Sequence, residues 1–121
     1  MSVKHAEDVE ARDVVTGKAT TIQVLISSQE GPNFALRRFR MQPGGGMPRH
    51  TNTVEHEQYV LRGRATVGIG DATHEVQAGD VVFIPEGAVH FYQNLGAEPF
   101  EFLCIIPNKE DKITILDSAA C

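Results

Sequence analysis

The stretch MPRHTNTVEHEQYVLRG, from Met47 to Gly63, carries His50 and His56 six residues apart, with Asn52, Glu55, Glu57 and Gln58 around them. Neutral imidazole binds Mn, Fe, Co, Ni, Cu and Zn, so the cluster raises the chemistry of a transition metal. Spacing decides whether two rings can share an ion. On one straight strand, with a rise of ~3.3 Å per residue, His50 and His56 would stand ~20 Å apart. They can meet only if the chain turns between them, and the segment TNTV (Thr51 to Val54) has the Asn and Thr residues that suit a loop. A third ligand must come from elsewhere, and His90 is the candidate. It follows GDVVFIPEGAV, in which Pro85 and Gly87 break a strand and re-aim the chain. Three protein ligands would leave open positions on the ion, as catalysis requires. On spacing alone, a second reading stands beside this one, in which the histidines are surface residues near a turn. His5, in the polar N-terminus, and His74, just after a hairpin turn, fit that plainer description.

The elements that would position these residues read as strands. TTIQVLIS (Thr20 to Ser27) is short and β-branched, and NFALRRFRMQ (Asn33 to Gln42) alternates imperfectly and ends at PGGG, expected to be a turn. EQYVLRGRATVGI (Glu57 to Ile69) is strand-like and interrupted at Gly63, where a bulge or tight bend is expected. Gly70 and Asp71 turn the chain into ATHEVQ, and VVFIP, VHFYQN, PFEFLCIIP and KITIL complete the series. The nearest approach to a helix is AEDVEARDVV (Ala6 to Val15), whose valines make a weak stripe. Short strands between Gly and Pro turns predict an all-β sandwich or barrel of about eight to ten strands. A length of 121 residues fits one domain spanning 1–121, with a core at about 20–107 flanked by an N-terminal arm and a C-terminal tail.

Composition narrows the partners. A hydrophobic fraction of 41% and a charged fraction of 22% are ordinary for a globular protein, so a core can form without metal or disulfide staples. A formal net charge of -5 argues against nucleic acid, which calls for a basic face. No apolar run approaches the ~20 residues of a membrane span. The opening MSVKHAEDVEARDVV is polar and acidic and lacks the apolar core of a signal peptide, so a cytoplasmic location is expected. Cys104 and Cys121 are read as free thiols, a disulfide being better suited to a secreted protein.

The motif spacings resemble those of the cupin family. The second cupin motif, G-x5-P-x-G-x2-H-x3-N, is met at every position by Gly79, Pro85, Gly87, His90 and Asn94. The first, G-x5-H-x-H-x3,4-E-x6-G, is met by Gly44, His50 and Gly63, with two departures: Asn52 stands where a second histidine is usual, and His56 where glutamate is usual. The likeness covers roughly Met41 to Pro107. It implies a double-stranded β-helix (jelly-roll) barrel, and His56 is similar to the extra histidine of small cupins with an all-histidine site, commonly for manganese. The resemblance thus implies one divalent transition metal per chain (Mn, Fe, Ni, Cu or Zn), held by His50, His56 and His90. Asn52 would either coordinate through its weaker carbonyl oxygen or hydrogen-bond a water in that place, and a site that has lost its metal is the plainer alternative.

Around these ligands, Gln58 shares parity with His56 and either faces the metal or lines the barrel as an ordinary polar residue, while Glu55 and Glu57 have the opposite parity and are expected at the surface. In PFEFLCIIP, Glu101 is expected in solvent, which turns Phe102 and Cys104 inward to line the cavity. Leu103 and Ile105 then face outward, and such an apolar stripe suggests a subunit interface. Cupins of this type are commonly dimers that exchange an N-terminal strand, so a homodimer is expected. Arg37, Arg38 and Arg40 either hold an anionic substrate at the cavity mouth or form a solvated strand face. A metal-dependent enzyme acting on a small organic substrate is the expected function, oxygenase-like first and isomerase or lyase second, with Gln58 and Tyr92 as candidates for proton handling. A non-catalytic ligand- or metal-binding barrel is the alternative.

Overall fold

The computed structural model describes residues 2–117, so Cys121 lies outside the described residues. Among the described residues ten strands run in order: β1 (Arg12–Asp13), β2 (Lys18–Ile26), β3 (Phe34–Asn52), β4 (His56–Arg62), β5 (Arg64–Ile69), β6 (Ala72–Gln77), β7 (Val81–Ile84), β8 (His90–Gln93), β9 (Phe100–Pro107) and β10 (Ile113–Ile115). The weak helical stripe at the N-terminus shrinks to one 3-10 turn, Ala6–Asp8. Gln23 holds this arm by donating to the carbonyls of Ala6 and Val9, both at 2.9 Å, and Val14 packs on the core.

The PGGG segment is not the turn expected of it. β3 runs through it as one bent strand of 19 residues. Glycine makes this possible: Gly44 takes φ +84°, and a Cβ on Gly46 would collide with the Tyr92 carbonyl of the paired strand. The bend places β3 in two walls. Its first half pairs with β2 and β9, and β4 and β7 extend that wall beyond β9. Its second half pairs with β8 and β10, and β5 and β6 extend the other wall beyond β8. The chain crosses from β4 in the first wall to β5 in the second through Gly63, at φ +78°. The result is an all-β jelly-roll barrel.

Inward residues of both walls make one core, including Phe39, Met41, Val60, Ile84, Tyr92, Phe100 and Phe102. Phe102 is its hub, with ring centroids 5.1 Å from Phe39, 5.2 Å from Tyr92 and 5.4 Å from Phe100. Each such aromatic contributes on the order of 1.5–3 kcal/mol by burial. Asn94, the last residue of the second motif, is fully buried and structural: its Nδ2 donates to the carbonyls of Met41 (3.0 Å) and Glu98 (2.8 Å), and its Oδ1 accepts from the Gly96 amide.

Glu101 departs from expectation. It points out of the barrel as its parity requires, yet it is 3% exposed. Arg38 (2.5 Å), Arg40 (3.1 Å) and Arg62 (3.6 Å) close over it, their stems replacing solvent with aliphatic surface.

Candidate functional site

A cavity of about 190 Å3 opens between the walls. It is lined by His50, Asn52, His56, Gln58, His90 and Tyr92, with Phe102 and Cys104 at its apolar side. Every sequence-predicted site residue therefore faces one space. A larger depression, about 460 Å3, lies around Gly63, Arg64 and Gly96 and holds none of these groups.

The wall geometry brings the histidines together. His50 on β3 and His90 on β8 are cross-strand partners, with ring centroids 4.1 Å apart. His56 opens β4 on the opposite wall, 5.5 Å from His90 by centroid, after the turn over residues 53–55. Backbone carbonyls fix two of the rings. His50 Nδ1 lies 2.7 Å from the Pro48 carbonyl and His90 Nδ1 lies 3.0 Å from that of Ala88. A carbonyl only accepts, so Nδ1 carries the proton in both rings and Nε2 is left bare. Burial pushes the three imidazoles toward their neutral forms. It lowers His50, lowers His90 to about 4, and together with the positive charge of Arg37 lowers His56 to about 3.

Asn52 is oriented from outside. Its Nδ2 donates to Asp111 Oδ2 at 3.0 Å, and because a carboxylate only accepts, the amide oxygen must be on the other side. That oxygen, Asn52 Oδ1, and His56 Nε2 are both buried without a hydrogen-bond partner. Two orphaned polar atoms in one cavity cost free energy unless something satisfies them. Neutral ring nitrogens and an amide oxygen are a donor set that fits a divalent transition metal. The shell is not finished: among the described residues, no three His, Cys, Asp or Glu side chains are grouped closely enough to hold an ion as they stand.

Gln58 and Tyr92 form a pair inside the cavity, Gln58 Nε2 donating to the Tyr92 oxygen at 2.6 Å. Burial, and then the neighbouring Cys104, push the Tyr92 phenol well above its ordinary value, so it stays protonated and acts as a donor. Cys104 is a buried free thiol, also pushed up by burial. Its sulfur lies 3.4 Å from His56 Nδ1, 3.2 Å from Arg37 Nη2 and 3.6 Å from Gln58 Nε2.

Glu57 departs in part from the surface position expected of it. It faces outward, but one carboxylate oxygen is buried without a partner, and burial followed by the hydrogen bond to Glu55 raises the group to about 7. The two readings of the arginine cluster divide between its members. Arg38 and Arg40 cover Glu101 outside, whereas Arg37 lines the cavity. The signal was present: Arg37 shares parity with the buried Ala35, Phe39 and Met41. Asp111, which orients Asn52, carried no signal, because its place depends on β10 returning to β3.

Comparison with known proteins agrees with this architecture. The cupin domain family Cupin_2 matches residues 37–106. The polyketide cyclase RemF from Streptomyces resistomycificus superposes with a TM-score of 0.90 at 31% identity, covering 98% of this chain and 87% of that one. A 1-methylthio-D-xylulose 5-phosphate methylsulfurylase of Rhodospirillum rubrum is 32% identical over 95 residues, covering 78% of this chain and 60% of that protein. The oxalate decarboxylase OxdC of Bacillus subtilis is 38% identical over 69 residues, 52% of this chain and 18% of that protein. The chain thus spans less than two thirds of the length of these curated relatives. No helix among the described residues is long and apolar enough to cross a membrane. With its motifs, its bent β3 shared between two walls and this family match over more than half its length, the chain belongs to the cupin family.

Proposed function

We propose that this cupin is a metal-dependent enzyme acting on a small organic substrate inside the barrel, with His50, His56, His90 and Asn52 holding one divalent transition metal of the Mn, Fe, Ni, Cu or Zn group. The observation that carries the reading is the pair of orphaned buried atoms, His56 Nε2 and Asn52 Oδ1, in the cavity that the other two histidines line. A bound metal would supply Lewis acidity toward a substrate oxygen. The chain's own groups do the rest. Phe39 and Phe102 give the substrate an apolar bed and exclude water. Gln58 holds the Tyr92 oxygen, which leaves the Tyr92 O–H to donate a hydrogen bond to a substrate oxygen. Among the described residues, no carboxylate lines the cavity to serve as a strong base.

The named activities of the relatives, a cyclase, a decarboxylase and a methylsulfurylase, support the isomerase or lyase branch over the oxygenase branch. The free Cys104 thiol suits the reducing cytoplasm. Elemental analysis of the purified protein, with and without His56→Ala, tests the reading. The expected result is near-stoichiometric metal in the wild type and its loss in the variant. A wild type that is metal-free and takes up neither added Mn2+ nor Zn2+ would overturn it. Oxygen uptake during turnover of a candidate substrate would return the reaction to the oxygenase branch.

A further inference from the structure

We propose that Arg37 is an anion anchor, and that the cavity takes a small organic carboxylate with an apolar body. The inference deepens the reading of this cavity as a substrate site and does not depend on the metal.

Arg37 sits on the inward face of β3, where its neighbours of like parity are Ala35, Phe39 and Met41. It is the only cation other than the histidines among the described residues that line the cavity, and neither Asp nor Glu is among them. Its sisters on the same strand pair with carboxylates, Arg38 with Glu101 and Glu7 and Arg40 with Glu101, whereas Arg37 forms no salt bridge among the described residues. Its contacts are neutral. Nη2 reaches Cys104 Sγ at 3.2 Å and His56 Nδ1 at 3.3 Å, and the guanidinium lies 5.1 Å over the Phe39 ring. Its Nε–H is buried with no partner. A guanidinium at a barrel-lining position is costly unless an opposite charge meets it, and its planar fork suits a carboxylate. The carboxylate is therefore expected to arrive with the substrate.

The body of the ligand is set by size and lining. A space of about 190 Å3 is below the ~300–1,000 Å3 of drug-sized sites. Its walls include Ile22, Phe39, Met47 and Phe102. One ring or a short chain bearing one carboxylate fits; a nucleotide does not.

The test uses the full chain after chelator treatment, titrated with benzoate and with benzamide, its neutral counterpart of the same shape. Calorimetry reads affinity, and the Arg37 Nε–H signal in a proton–nitrogen spectrum reports the site. Benzoate should bind at least tenfold more tightly than benzamide and shift the Arg37 signal. Arg37→Gln should lose that preference while keeping its circular dichroism spectrum. Equal binding of the two probes, a preference that survives in Arg37→Gln, or no saturable benzoate binding up to millimolar concentration would each overturn the proposal. Should Arg37→Gln fail to fold, Arg37→Lys and the wild-type comparison of the two probes still decide it. A protein that is metal-free as purified, takes up neither added Mn2+ nor Zn2+ and still prefers benzoate would sink the metal reading alone, and one that takes up metal but shows no preference after chelation would sink this one alone.

Discussion

In the proposed metal site, Asn52 occupies the position at which an imidazole would complete a four-histidine set. Its amide is already turned by Asp111 so that Oδ1 faces the cavity. An amide oxygen is a weaker donor than imidazole toward transition ions. Asn52→His should therefore slow loss of metal to a chelator and tighten binding by about tenfold, the low end of what changes around a metal commonly produce. A chelator competition on both proteins checks this, and unchanged release would place Asn52 away from the ion. At this scale the convergence of the three histidines on one cavity was legible from motif spacing. The three arginines were left with two readings between them, although Ala35, Phe39 and Met41 on the same face mark Arg37 alone as inward. Glu101 shows the converse limit. Parity gave its direction correctly, but no local pattern reveals that arginines from β3 and β4 fold over it.

Among the elements, β3 and β9 are joined by more than their ladder. The Glu101 carboxylate on β9 binds Arg38 and Arg40 on β3 and reaches Arg62 on β4, tying three strands of one wall. Burial raises the affinity of this carboxyl for a proton, but the hydrogen bonds from Arg38 and Arg40 outweigh it and hold the group below its ordinary value of 4.5. A folded-state value below the unfolded one contributes stability above the unfolded value, and that contribution is lost as pH falls through the folded value. Glu101→Gln should thus cost about 1–2 kcal/mol at neutral pH, in the range for hydrogen bonds to charged groups with partly exposed partners. Urea unfolding of both proteins should show the difference shrinking below pH 4.5; a constant difference would assign the effect to packing. The strands themselves were legible from their alternation and turn residues. The continuity of β3 through PGGG was not, because three glycines suit a turn equally well, and the long-range pairing of Gly46 with β8 decides between them.

Over the whole molecule, the wall of β3, β9, β4 and β7 has two very different faces. Inside lie Phe102, Cys104 and Gln58; outside, Tyr59 and Leu61 on β4, Val81 and Phe83 on β7 and Ile105 on β9 are exposed, Val81 by 76% and Phe83 by 54%. Register makes these neighbours: Tyr59 pairs with Val81, and Glu57 lies between Phe83 and Ile105. A contiguous apolar patch on a sheet face suits burial against a partner, and the homodimer expected from the sequence makes a second copy of the chain the occupant to test. Light scattering of the wild type should give twice the chain mass of 13.2 kDa. Phe83→Glu puts a charge in the middle of the patch without touching the cavity, since Phe83 points outward while its neighbours Val82 and Ile84 point into the core. It should give a monomer whose metal content matches the wild type. A wild type that runs as a monomer would remove the interface, and a monomeric variant that also loses its metal would show that the inner face depends on the outer one, through the β4 strand that carries both His56 and Tyr59.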